Sequence, residues 1–186
     1  MTDHLFVITG GPGSGKSSLV NALANVGFSH MPEAGRAIIQ DQVAIGGSAL
    51  PWGDRAAFAE LMLAWELRSH REARALPGPV VLDRGVPDVI GYLTLCRLPV
   101  PPHVQRAAEV FRYNRTVFIA PHWSEIFAQD AERKQSPEEA EATYQAMASV
   151  YASLGYTLVT LPLASVPERV AFVRTHIAER QKQPVK

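Results

Sequence analysis

A three-layer α/β fold around a five-stranded parallel sheet is predicted by three features of the sequence. Short apolar runs rich in β-forming residues recur along the chain, amphipathic stretches of helical period separate them, and a glycine-rich turn joins the first run to the first amphipathic stretch. Strands that alternate with helices in this way lie parallel, linked by right-handed crossovers that leave helices on both faces of the sheet.

The first run, Leu5 to Ile8, contains no polar residue, as a strand covered on both faces requires. It leads into a turn that, from Gly10 to Ser17, fits G-x-x-x-x-G-K-[ST] at every fixed position. Phosphate chemistry explains each residue type. Glycines such as Gly10, Gly11, Gly13 and Gly15 let the backbone take positive φ and curl its N–H groups around an anion. Lys16 is spaced to reach the β- and γ-phosphates, and the Ser17 hydroxyl to ligate a bridging Mg²⁺. A helix from Ser17 to Val26, with Leu19, Val20, Leu23 and Ala24 on one side and Gly27 as its stop, adds its positive end. The expected nucleotide-binding residues are therefore Gly10, Gly11, Pro12, Gly13, Ser14, Gly15, Lys16, Ser17 and Ser18, with ATP and Mg²⁺ as the expected cofactors.

Phe28 to Met31 forms the second strand and ends at Pro32-Glu33, after which Ala34 to Val43 reads as a helix with Ile38, Ile39 and Val43 on its apolar side. Glu33 thus stands at the C-terminal edge of a strand, where open α/β sheets bind ligands, although a helix start also suits a solvated Glu. A loop from Gly46 to Gly53 precedes a long helix capped by Asp54 and running to about Ala75; Phe58, Leu61, Met62 and Trp65 form its apolar stripe, read as core. Leu76-Pro77-Gly78-Pro79 breaks it off.

The next strand, Pro79 to Leu82, ends in Asp83-Arg84-Gly85. A carboxylate there is where a phosphate-loop protein organises Mg²⁺, so Ser17 and Asp83 are the expected metal ligands. Arg84 occupies the place where ATP-hydrolysing motors carry a second, water-activating carboxylate. Helices at Pro87 to Leu95 and His103 to Tyr113 flank the Pro99-Val100-Pro101-Pro102 break, and Thr116 to Ala120 is the fourth strand. Residues 122–136 are polar, with Asp130, Glu132, Arg133 and Lys134 and little apolar period, and are expected to form a lid whose Arg133 and Lys134 close on the phosphates. Ser136-Pro137-Glu138-Glu139 starts the following helix with a cap, a first-turn proline and an acid at its third position. That helix runs to about Leu154; Tyr156 to Leu161 is the fifth strand and Glu168 to Arg180 the last helix.

The 186 residues suit one domain over 1–186, and 47% hydrophobic with 19% charged residues is ordinary globular composition. Eighteen basic and eighteen acidic residues cancel, which argues against a nucleic-acid partner bound through a basic face. No apolar run approaches membrane-spanning length and no basic-then-apolar leader opens the chain, so a cytoplasmic protein without a membrane partner is expected. The single cysteine, Cys96, is expected to be buried packing.

Gly10 to Ser17, Pro32-Glu33 with Arg36, Asp83-Arg84-Gly85, and Asp130-x-x-Arg133-Lys134 before a capped helix together resemble a small bacterial predicted-ATPase family labelled an AAA domain. That family is similar to the ribosylnicotinamide kinase domain and to nucleoside and nucleotide kinases. The resemblance covers nearly the whole chain. It implies a P-loop NTPase fold with sheet order 2-3-1-4-5, a basic lid, and an acidic residue that takes the acceptor's proton, a role for Glu33 or Asp83. Lys16, Glu33, Asp83, Arg84 and Arg133 are the expected catalytic residues. The chain has no Asn-Lys-x-Asp or Thr-Lys-x-Asp guanine-recognition segment, which favours ATP over GTP.

Two functions fit these residues. One is a phosphotransferase that moves the ATP γ-phosphate to a small nucleoside-like acceptor, Asp83 holding the metal and Glu33 the acceptor hydroxyl. The other is a nucleotide-dependent switch or slow ATPase that binds ATP or GTP and presents a surface to a protein partner. The first requires an acceptor pocket, the second an exposed apolar patch near the lid to which Trp52 or Trp123 would contribute.

Overall fold

The computed structural model describes residues 2–123 and 136–182. Most of the expected lid, including Asp130, Glu132, Arg133 and Lys134, lies outside the described residues. Five strands, β1 (Leu5–Gly10), β2 (Ser29–Met31), β3 (Val80–Asp83), β4 (Thr116–Ala120) and β5 (Thr157–Thr160), form one parallel sheet in the order β2-β3-β1-β4-β5, as the family resemblance implies. Between them run α1 (Lys16–Asn25), α2 (Ala34–Ile45), α3 (Arg55–Arg74), α4 (Val86–Leu95), α5 (Pro102–Val110), α6 (Pro137–Ser153) and α7 (Val166–Lys182).

The three central strands, β3, β1 and β4, are buried at every residue, whereas β2 and β5 at the edges are partly exposed. Their continuous apolar runs feed two cores because successive side chains point to opposite faces. Leu5, Val7, Val80, Leu82 and Val117 face α3, α4 and α5. Phe6, Ile8, Val81 and Phe118 face the other way, onto Leu19, Val20 and Leu23 of α1 and Val170, Val173 and Ile177 of α7. The register sets Ile8 beside Asp83 on one side and beside Phe118 on the other, so β1 delivers its loop midway along the carboxyl edge of the sheet.

The caps read from sequence are made. Asp54 accepts from the Ala57 N–H at 2.9 Å, and Ser136 and Glu139 form a reciprocal box in which the Ser136 N–H donates to Glu139 Oε2 at 2.8 Å. Three local expectations are corrected. On α3 the buried side is Phe58, Ala59, Leu63, Glu66, Ser69, His70 and Ala73, while Leu61 is 37% exposed. The helix packs against both α2 and α4, and three of those seven buried residues are polar, so the apolar stripe finds only part of the buried face: Phe58 is buried and Met62 and Trp65 pack partly buried against the core. Val43, near the end of α2, faces solvent. The helix expected to reach Tyr113 ends at Val110; its departure brings the Tyr113 hydroxyl to accept from the Val86 N–H at 3.1 Å.

His70 carries a pH dependence. It is 2% exposed between the rings of Phe111 and Tyr113, with Nε2 bonded to the Arg112 carbonyl at 2.8 Å. Burial, opposed in part by that carbonyl, lowers its pKa. A histidine whose folded pKa lies below its unfolded value of about 6.5 gives stability that is complete above that pH and is lost as pH falls through the folded value. Urea midpoints should therefore fall between pH 7.5 and pH 5.5, with a shallower fall in His70→Phe. Equal slopes for the two proteins would remove His70 as the cause.

Candidate functional site

The loop between β1 and α1 is shaped by its glycines. Gly10 has a φ of 127° and its α-carbon lies so close to the backbone of Ala120 in β4 that a Cβ would collide with it. A Cβ on Gly11 would lie 2.5 Å from the Ala140 carbonyl of α6. Gly13 and Gly15 take left-handed φ values of 68° and 73°, which only glycine adopts without strain. Gly15 is the N-cap of α1 and supplies no side-chain cap, so the first-turn N–H groups of that helix stay available to an anion.

Lys16 is 5% exposed and folds over the loop, donating from Nζ to the carbonyls of Gly10 at 3.0 Å and Gly11 at 2.5 Å. Arg169 of α7, 2% exposed, braces the loop from outside by donating to the Ser14 carbonyl at 3.0 Å, a support that no sequence signal marked. The Ser17 hydroxyl lies 3.4 Å from Asp83 Oδ2 at the end of β3. A hydroxyl and a carboxylate are the hard oxygen donors that Mg²⁺ takes, and the two residues expected as its ligands lie within reach of each other.

Glu33 and Arg84 come together at the ends of adjacent strands. Glu33 is the N-cap residue of α2, and its Oε1 accepts from Arg84 Nε at 3.0 Å; Arg84 Nη1 donates to Asp88 Oδ1 at 3.0 Å. Burial alone would lower the Arg84 pKa, but Glu33, then Asp88 and Asp83, raise it well above the ordinary guanidinium range, so the residue is a fixed cation. Its backbone has a φ of 80°, a strained setting for a side chain, held by its N–H donating to the Ile8 carbonyl at 3.0 Å.

Asp88 is a hub that the sequence did not reveal. It accepts from Thr9 Oγ1 at 2.6 Å, from the Tyr151 hydroxyl at 2.6 Å and from the Gly85 N–H at 3.1 Å in addition to Arg84, tying the end of β1 to α4 and α6. The signal available was a lone acid one turn into a helix, which ordinarily marks only a favourable dipole contact.

A cavity of about 550 Å³ opens from Pro12 of the loop to α2, α3, α4 and α6. Glu33, Glu66, Arg84 and Asp88 lie in its wall with Trp52, Phe58, Met62 and Tyr92. Cys96, expected to be buried packing, is half-buried and lines the same cavity. Trp52 is 61% exposed and stands at this cavity too. No metal-binding cluster of three or more His, Cys, Asp or Glu occurs among the described residues, and no described helix is long and apolar enough to cross a membrane.

Sheet order and the glycine-shaped loop at the N-terminus of α1 together define a P-loop protein with the kinase-like fold. The AAA domain family model matches residues 5–169, and the chain belongs to that family. Among solved structures it resembles deoxyadenosine kinase from M. mycoides with the products dCMP and dCDP bound, at a TM-score of 0.70 and 11% identity over 94% of this chain and 99% of that one. It also resembles NadR protein in complex with NR, at a TM-score of 0.71 and 17% identity over 99% of this chain and 53% of that one, so it spans about half the NadR length. A second NadR structure, in complex with NAD and AMP-PNP, aligns at a TM-score of 0.68. None of the curated proteins matches the chain in sequence.

Proposed function

We propose that the protein is a phosphotransferase that moves the γ-phosphate of ATP to a hydroxyl of a small nucleoside-like acceptor. The observation that carries this reading is the cavity of about 550 Å³ that begins at the phosphate loop and has the Glu33–Arg84 pair in its wall. Its volume suits one small molecule, and its mixture of aromatic and ionised walls suits a flat ring with hydroxyls. The bound molecules of the similar structures, dCMP and dCDP in one and NR in another, agree with it.

In this reading Lys16 and the N–H groups of the loop and of α1 hold the phosphates. Ser17 and Asp83 would hold Mg²⁺, which when bound would supply positive charge beside the phosphates. Arg84, fixed by Glu33 and Asp88, keeps a positive charge where that group arrives. Glu33 takes the acceptor's proton, and transfer depends on positioning more than on covalent chemistry by the protein. A second carboxylate to prepare water has no counterpart, since Arg84 stands there, and water is a poor acceptor. Trp52 at the cavity, rather than on a separate apolar patch, favours this reading over a partner-binding switch.

The test is a panel of nucleosides and ribosides incubated with labelled ATP, preceded by thermal shifts in the presence of a non-hydrolysable ATP analogue. A true acceptor stabilises the fold by mass action, by about 2.7 kcal/mol at a hundred times its Kd. Acceptor-independent ATP hydrolysis, with no member of the panel labelled, would leave the switch reading in its place.

A further inference from the structure

Glu66 belongs to none of these roles. It sits on the buried side of α3, 4% exposed, in the wall of the acceptor cavity. Among the described residues its carboxyl makes no hydrogen bond and no ion pair, because the nearby Arg84 is taken by Glu33 and Asp88. A buried polar group without a partner costs folding free energy, and neither a cap nor a backbone N–H of α3 gives this one a structural reason. A partner that arrives with the ligand does.

We infer that Glu66 selects the acceptor by pairing its carboxyl with an N–H donor that adjoins a lone-pair nitrogen or carbonyl oxygen, the amide or amino-imine edge of a heterocycle. Burial, reinforced by Asp88 and opposed by Arg84, pushes the Glu66 carboxyl well above the usual carboxylate range. An acid that keeps its proton offers one O–H donor and one carbonyl acceptor side by side, the complement of such an edge. The rings of Phe58 and Tyr92, with centroids 5.4 Å apart, and the Met62 side chain supply the apolar walls for the rest of the heterocycle. An acceptor without the edge leaves the buried carboxyl unpaired, the situation in which discrimination is steepest.

This inference rests on the cavity being the acceptor site. The probes are cytidine, adenosine and a benzene C-riboside, which has the same sugar but no donor or acceptor on its ring. The proteins are wild type, Glu66→Gln, whose amide keeps one donor and one acceptor, and Glu66→Leu, which keeps the volume alone. We expect wild type to prefer cytidine or adenosine over the benzene riboside by about a hundredfold or more in kcat/KM. Glu66→Gln should keep that ratio within about fivefold, and Glu66→Leu should reduce it to within about threefold of unity, with a Tm no lower than wild type because an unpaired buried polar group has gone. Unchanged discrimination in Glu66→Leu, or none in wild type, would overturn the inference while leaving phosphoryl transfer standing. If no riboside is phosphorylated, the kinase reading fails, and calorimetric binding of the same three ribosides decides the matter for Glu66. Affinity for cytidine or adenosine lost in Glu66→Leu and kept in Glu66→Gln upholds it, and binding that is equal in both variants or absent in wild type rejects it.

Discussion

Lys16→Ala should weaken MgATP binding by about ten- to a hundredfold while the protein stays folded. Lys16 Nζ is held over the loop by the Gly10 and Gly11 carbonyls, so the ammonium is already placed where the motif needs it to meet phosphate. A charge-assisted hydrogen bond to an anion is worth about 1.5–3 kcal/mol, and each 1.4 kcal/mol is tenfold in affinity. The fold should tolerate the change because its two cores, around Leu5 and Val7 on one face and Phe6 and Ile8 on the other, do not include the lysine stem. Titration calorimetry with a non-hydrolysable analogue measures the first expectation and thermal unfolding the second. An unchanged Kd in a folded variant would remove the loop as the nucleotide site.

The second large effect is expected at Glu33. Glu33→Gln should keep the affinity for ATP and lose about a hundredfold or more in phosphoryl transfer, the usual worth of a general base. Glutamine retains an oxygen that can accept from Arg84 Nε, and Asp88 holds the same guanidinium from the other side, so loss of structure does not stand in for loss of chemistry. That protection matters, since leaving a buried charge unpaired costs about 3–5 kcal/mol. The measurement is single-turnover transfer from labelled ATP at saturating acceptor, with Tm as the control. Rapid hydrolysis in the absence of any acceptor, the same in wild type and in Glu33→Gln, would overturn the role given to Glu33 and with it the kinase reading.

The phosphate loop was legible because everything it needs is local. Gly10, Gly13 and Gly15 declare a backbone with positive φ, and Lys16 and Ser17 follow at fixed spacing on the helix that begins there. The strands were legible for the same kind of reason: β1, β3 and β4 are buried at every residue and mostly apolar because both faces are covered, with Thr9, Thr116 and Asp83 as their buried polar residues. Ser17 and Asp83 were legible from the loop and from the carboxylate that ends β3, whereas the sheet order that sets β3 beside β1 came from the family resemblance. Glu66, Asp88 and Arg169 were not legible. A single acid or arginine within a helical pattern looks the same whether it faces water or the interior.

By itself the sequence determined the alternation of strands and helices, the caps at Asp54 and Ser136, and the chemistry of the loop, all of which depend on residues close together in the chain. Only the tertiary structure decided the cavity and its charges. Its wall takes Glu33 from the start of α2, Glu66 from α3, Asp88 from α4 and Thr143 and Met147 from α6, and the sheet order alone brings these elements to one edge. The physical reason is that burial changes how strongly a side chain holds its charge or its proton. Arg84 becomes a fixed cation because Glu33 and Asp88 meet it away from water, and Glu66 keeps its proton longer because α3 packs it inside; neither condition exists until the helices have closed over the sheet.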